Sequence, residues 1–231
     1  MAAKSARNAG LYPAFLNLNG VQALVVGGGP VALRKARGLL AAGASVHAVS
    51  PEFVRAFRGL AKVRFVIRRY RNSDLKGMRL VFAATSDAAL NARIAADAWA
   101  RGAWANVASP PEAGKLVVPS VLRRGRLCLG IGTGGASAAA ARALRQELER
   151  HVDAAWGAFL DLVEARRRKL KARVTDPALR RRLLQQLGSA SWVKLIRKAG
   201  KAAAGKRMDA LLARAVKPGK PSGVRQAVAK R

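Results

Sequence analysis

Residues 24–36 read LVVGGGPVALRKA: an apolar run meets three consecutive glycines, Gly27, Gly28 and Gly29, and resumes with residues that favour helix. A glycine triplet in such a place is either a tight turn or a cradle for phosphate, and its flanks distinguish the two. Before it, VQALVV (21–26) follows Asn19-Gly20 and reads as a strand. After it, PVALRKARGLLAAG (30–43) spaces apolar residues three and four apart, starts on proline and stops on glycine, as a helix does. Counted from Gly27 to Ala32 the spacing is G-x-G-x-x-A, set between a strand and a helix. In that context Gly27 allows the turn, Gly29 lets the backbone approach a pyrophosphate, and small Ala32 lets the helix pack on the strand. The helix N-terminus adds free N–H groups and partial positive charge. A ligand-free glycine turn is the competing reading.

Working outward, ASVHAVS (44–50), VRFVIRR (63–69), RLVFAAT (79–85) and AWANVA (103–108) are further strand patterns, and DAALNARIAADAWARG (87–102) is a second helical one. Strands alternating with helices predict an α/β fold, a parallel sheet of Rossmann type with helices on both faces. Ligands then gather at the carboxyl ends of the strands, which makes Ala84 and Thr85 cofactor-site candidates. The second strand ends at Ser50-Pro51, where the fingerprint expects a carboxylate for the ribose. Ser50 can hydrogen-bond a ribose but does not repel a 2′-phosphate, so this position leaves NAD and NADP both open. Further on, LVVPS and RLCLGIG predict two more strands, and a long helix starts near Ser137. Beyond Val152 only helices are expected, over 153–173, 177–187 and 190–215, followed by a disordered basic tail.

The chain has 231 residues with 44 Lys and Arg against 12 Asp and Glu, a net charge of +32. That field attracts polyanions: nucleic acid, an acidic surface or a substrate with many carboxylates. Solvated basic faces are the plainer reading of most of these positions. Residues 151–231 hold 21 of the basic and 5 of the acidic residues, nearly double the charge density of the rest. The runs Arg166-Arg167-Arg168-Lys169 and Arg180-Arg181-Arg182 raise nucleic-acid binding, but few aromatic residues accompany them to stack on bases. The lone cysteine, Cys128, predicts no internal disulfide, a reducing compartment and a buried, inert thiol. No apolar run suits a secretory signal or a membrane span of about 18 residues, so a cytoplasmic protein is expected. His47 and His151 lie far apart, without a ligand partner, and no metal site is expected.

LYPAFLNLNGVQALVVGGGPVALRKARGLLAAGASVHAVSPEF, LVFAATSDAALNARIAADAWARGAWANVA and VVPSVLRRGRLCLGIGTGGASAAAARALRQELE follow one another in the chain. Together they resemble the siroheme synthase N-terminal family, the precorrin-2 dehydrogenases. The resemblance covers about residues 11–150 and, more weakly, the helices up to about 216. It implies a homodimer with an NAD-binding Rossmann-type domain (1–112), a dimerisation segment of strands plus helix (113–152), a C-terminal helical domain (153–216) and the tail (217–231). It implies NAD as cofactor and oxidation of precorrin-2, an octacarboxylate tetrapyrrole, to sirohydrochlorin, with iron insertion in some members. The cofactor residues carried over are Gly27, Gly28, Gly29, Pro30, Val31, Ser50, Pro51, Ala84 and Thr85.

The chain departs from the family's pattern at two places. Where many members have N-V-V-D, with the aspartate assigned to catalysis, this sequence has Asn106-Val107-Ala108-Ser109. A serine hydroxyl is no general base near neutral pH without a partner. Ser109 and Glu112 are therefore the catalytic candidates, an exposed loop residue being the plainer reading of Glu112. The later I-S-T-x-G-x-S-P appears as Ile131-Gly132-Thr133-Gly134-Gly135-Ala136-Ser137-Ala138. Asn106, Thr133, Gly134, Gly135 and Ser137 are the substrate candidates, with Ser137 also a plain helix cap. A dehydrogenase is the leading expectation, and a non-catalytic carrier or sensor is the alternative that loss of the aspartate raises.

Overall fold

The computed structural model describes residues 10–216. These divide into two compact units, one made of the chain up to Pro119 plus Gly132–Ser137, the other of Ser120–Ile131 and the chain from Ala138.

The first unit is built on five parallel strands: β1 (Gln22–Val26), β2 (Ser45–Ser50), β3 (Val63–Ile67), β4 (Leu80–Ala83) and β5 (Trp104–Val107). Their spatial order is β3-β2-β1-β4-β5. All four pairings are parallel, with Val26 beside Val49 on one side and beside Ala83 on the other. The central strands read as continuous apolar runs because both faces are covered. Ala23 and Val25 face one core with Ala32, Leu33, Ala36 and Leu39 of α1 (Pro30–Ala41). Leu24 and Val26 face the other with Ile94, Ala95 and Ala98 of α2 (Ala88–Ala100). The chain leaves β1 for β2 on one side and returns to β4 on the other, which creates a topological switch point at the end of β1.

One expected strand is absent. LVVPS forms no strand before Ser120, where β6 (Ser120–Arg124) begins. Leu116 is instead tied along the outer side of β5: its N–H donates to Ala105 O at 3.0 Å, and its carbonyl accepts from Asn106 Nδ2 at 2.7 Å. Pro119 has no N–H with which to continue a ladder. This short tether covers β5 at the point where it would otherwise be a free edge.

In the second unit β6 pairs with β7 (Leu127–Ile131) as an antiparallel hairpin turning at Gly125, where φ is +57°. Helices α3 (Ala138–His151) and α4 (Ala154–Arg173) pack on it, and Gly157 permits the second contact: a Cβ there would stand 2.8 Å from Arg124 O. With α5 (Pro177–Leu187) and α6 (Ser191–Val216), α4 encloses Phe159, Leu162, Leu170, Leu183, Leu187, Val193, Ile196, Ala204 and Met208.

Four expectations for this part change. The last helix is broken at Gly200 (φ +84°, ψ +165°), a conformation glycine adopts at little cost. Arg166 is not a solvated charge but 8% exposed, with Nη2 donating to Gly205 O at 2.9 Å and Asp209 Oδ2 at 2.7 Å. Cys128 is half-buried, because a two-stranded sheet covers its residues less fully than the five-stranded one. His151 closes α3 with its Nε2 3.4 Å from Glu147 Oε1, so it does have a carboxylate neighbour one turn back. The tail from residue 217 lies outside the described residues.

Candidate functional site

At the end of β1 the three glycines do different work. Gly27 turns the chain at φ +126°, its N–H donating to Val49 O at 2.9 Å. A Cβ there would lie 2.3 Å from Ala84 O and 3.3 Å from Thr85 N, so the loop after β1 sits directly against the end of β4. At Gly28 a Cβ would lie 1.8 Å from Glu52 O and 2.9 Å from Ser50 Oγ, which places that loop against the end of β2 as well. Gly29 borders open space: nothing lies within 4 Å of its Cβ position, and its φ of −82° and ψ of −177° suit any residue.

Helix α1 starts there without a cap. Gly29 has no side chain, Pro30 has no N–H, the first turn holds no acidic residue, and Leu33 is the first to find a backbone partner, Gly29 O at 3.0 Å. Other helices here are capped by aspartate: Asp87 accepts from Leu90 N, Asp153 from Ala155 N, and Asp176 from Ala178 N. The Val31 N–H and the positive end of α1 thus lie beside the open space at Gly29, which fits the phosphates of a dinucleotide. Nearby, Ser50 is 8% exposed and its hydroxyl has no hydrogen-bond partner among the described residues, while Pro51 beside it is exposed. Lys35, one turn into α1, lies with Nζ 5.8 Å from the Phe82 ring centroid. Burial, and secondarily Arg34, hold its pKa below the ordinary lysine value.

The ends of β4 and β5 are joined by a residue that the sequence reading missed. Asn91 of α2 is fully buried. Its Oδ1 accepts from Thr85 N at 3.1 Å and Thr85 Oγ1 at 2.7 Å; its Nδ2 donates to Thr85 O at 3.1 Å and Ser109 O at 3.0 Å. The signal was a single polar residue in the stripe Asn91, Ile94, Ala95, Ala98 that α2 buries.

Of the other candidates, Ser109 and Glu112 are exposed, Glu112 in the short 3-10 turn Pro111–Ala113. Asn106 is 8% exposed; its Nδ2 is used on Leu116, and its Oδ1 has no partner among the described residues. Thr133, Gly134, Gly135 and Ser137 form a closed turn, in which Ala136 N donates to Thr133 O at 3.0 Å and Ser137 N to Thr133 Oγ1 at 3.3 Å. The structure therefore brings together Gly27 to Val31, Ser50, Ala84, Thr85 and, through Asn91, Ser109. Among the described residues no three His, Cys, Asp or Glu stand together to hold a metal, and no helix is long and apolar enough to cross a membrane.

Sheet order, glycine cradle and uncapped helix define the class: a Rossmann-type dinucleotide-binding α/β protein. Residues 14–120 match a family model described as putative NAD(P)-binding. The chain is 38% identical over 205 residues to a siroheme synthase of Chromobacterium violaceum, covering 87% of this chain and 44% of that one. It is 40% identical over 172 residues to a siroheme synthase of Pseudomonas entomophila, covering 73% and 37%. The chain thus spans less than half the length of these curated relatives. A solved structure titled SirC, precorrin-2 dehydrogenase, aligns with a TM-score of 0.73 at 23% identity, over 87% of this chain and 100% of that one, and shows the same fold. The chain belongs to the siroheme synthase N-terminal family.

Proposed function

We propose that the chain is an NAD-dependent precorrin-2 dehydrogenase, converting precorrin-2 and NAD to sirohydrochlorin, NADH and a proton. The observation that carries this reading is the uncapped N-terminus of α1 facing the open space at Gly29. NAD, when bound, supplies the hydride acceptor. The chain's own residues then hold and orient: Gly29, Pro30 and Val31 receive the pyrophosphate, Ser50 and Pro51 the adenosine ribose, and Ala84 and Thr85 border the site at the switch point. Precorrin-2 is assigned to Asn106, Ser109 and the Thr133–Ser137 turn, with Ser109 as a hydrogen-bonding group and water or Glu112 taking the released proton. Orientation alone supplies much of such a rate, so loss of the aspartate is compatible with turnover. The similarity to siroheme synthases and the basic charge of the chain support this substrate, whose carboxylates the field attracts.

The same reading makes the protein a cytoplasmic homodimer, with 113–152 as the dimerisation segment. Tyr12 and Phe15, 91% and 75% exposed, and Leu16 beside them support a partner surface. The test is to mix pure protein, precorrin-2 and NAD without oxygen and follow NADH and the sirohydrochlorin spectrum. Turnover above the protein-free rate is expected, and its absence refutes the enzyme. Ser109 in place of a carboxylate, with Glu112 exposed and without an ion-pair partner among the described residues, favours a second reading, a non-catalytic binder of dinucleotide or tetrapyrrole. Ser109→Asp separates the two: activity appearing from none marks a binder, and a modest change marks an enzyme that works without the aspartate.

A further inference from the structure

Asn91 has two acceptor sites and two donors, and all four are filled. The amide's orientation follows from its partners, since Oδ1 meets an N–H and a hydroxyl while Nδ2 meets two carbonyls. A buried network with every member satisfied is rigid and specific. One end of this one is Thr85, whose N lies 3.3 Å from the Cβ position of Gly27, the glycine that turns the dinucleotide loop. The other end is Ser109, eighteen residues past Asn91 on the loop after β5. Thr85 Oγ1 also accepts from Asp87 N at 3.2 Å, which fixes the start of α2, the helix that carries Asn91. Gly27 leaves no room for a Cβ against Ala84, the residue before Thr85, and hydrogen bonds continue from Thr85 through Asn91 to Ser109.

We propose that Asn91 is a positioning residue that couples occupancy of the dinucleotide cradle to the order of the loop carrying Ser109. NAD seated against Gly27 to Val31 restrains the end of β4, and the side chain of Asn91 transmits that restraint to residues 108–112. The inference rests on the dinucleotide reading for its ligand but not on precorrin-2 as substrate. Cradle and reaction loop would then be set together, the Ser109 loop taking its working position only once the hydride acceptor is present.

The experiment is hydrogen exchange of the Ala108, Ser109 and Glu112 amides in the full chain, with and without NAD, positions 110 and 111 being proline. In the wild type, saturating NAD is expected to slow exchange there about tenfold. Asn91→Asp keeps an acceptor toward the Thr85 N–H and hydroxyl but sets an oxygen against the Thr85 and Ser109 carbonyls. It should bind NAD within about threefold of wild type while losing that protection, and kcat should fall with KM for NAD little changed. Asn91→Ala removes all four side-chain bonds without adding a charge. It should also lose the protection, and it decides the matter if Asn91→Asp does not fold. Protection that persists in the folded variants, or that NAD never produces in the wild type, overturns the coupling. NAD binding with the expected protection but no precorrin-2 turnover refutes the dehydrogenase alone.

Discussion

At Gly27 and Gly29 the same residue type answers two different demands, and substitution separates them. Gly27→Ala puts a methyl against Ala84 O at a φ of +126°, strain worth about 1–3 kcal/mol before the clash is counted. Its denaturation midpoint should fall clearly below wild type. Gly29→Asp meets neither obstacle, since its Cβ has open space and its φ and ψ are those of an N-cap. It should fold with unchanged or slightly raised stability, yet lose NAD affinity by about a hundredfold, because a carboxylate would occupy the phosphate position. Calorimetric titration together with a melting curve reads both effects; a destabilised Gly29→Asp that still binds NAD would contradict the assignment. The glycines were legible in the sequence because their requirement is local, set by a strand, a turn and a helix in succession. Asn91 was not, because its partners at Thr85 and Ser109 come together only when β4 and β5 pair.

Helix starts carry the same logic one level up. Asp87, Asp153 and Asp176 cap their helices, and Asp176 was readable as a start because Pro177 follows it. Asp176→Ala should lower the stability of the helical unit by about 1 kcal/mol, measured by chemical denaturation. Asp74 braces the turn after β3: burial raises its pKa, but Arg68, with Nη1 at 2.9 Å, and the Arg71 N–H at 2.8 Å more than offset this and hold it below the ordinary value. A carboxyl depressed in the folded state contributes stability that is complete above its unfolded pKa of about 3.9 and is lost as pH falls through the lower folded value. Asp74→Asn should therefore cost stability at pH 7 and flatten the acid limb of the stability profile below about pH 5. At this scale pattern reading failed where tertiary contacts overrode it. LVVPS has a strand's composition, but its backbone is engaged by Ala105 and the Asn106 side chain, and the last helix looked continuous until Gly200.

Across the whole molecule, alternation of apolar runs sufficed to read the parallel sheet, since β1 must satisfy two cores and does so with Ala23 and Val25 on one face, Leu24 and Val26 on the other. Charge was less legible: a count of arginines does not reveal that Arg166 lies inside, bound to Gly205 and Asp209. The net charge of +32 still sets an expectation for an octacarboxylate substrate. Raising salt from about 50 to 300 mM shortens the screening length to below about 8 Å and should raise KM for precorrin-2 several-fold while kcat stays nearly constant. A salt-independent KM would remove electrostatic attraction from the account. The most direct test of the central claim is the stoichiometry of NADH to sirohydrochlorin formed anaerobically by the wild-type chain, with Gly29→Asp as a folded control. The account predicts one NADH for each sirohydrochlorin from the wild type and only the protein-free rate from the variant. Sirohydrochlorin formed without NADH, equal rates from both proteins, or no product from either would contradict it.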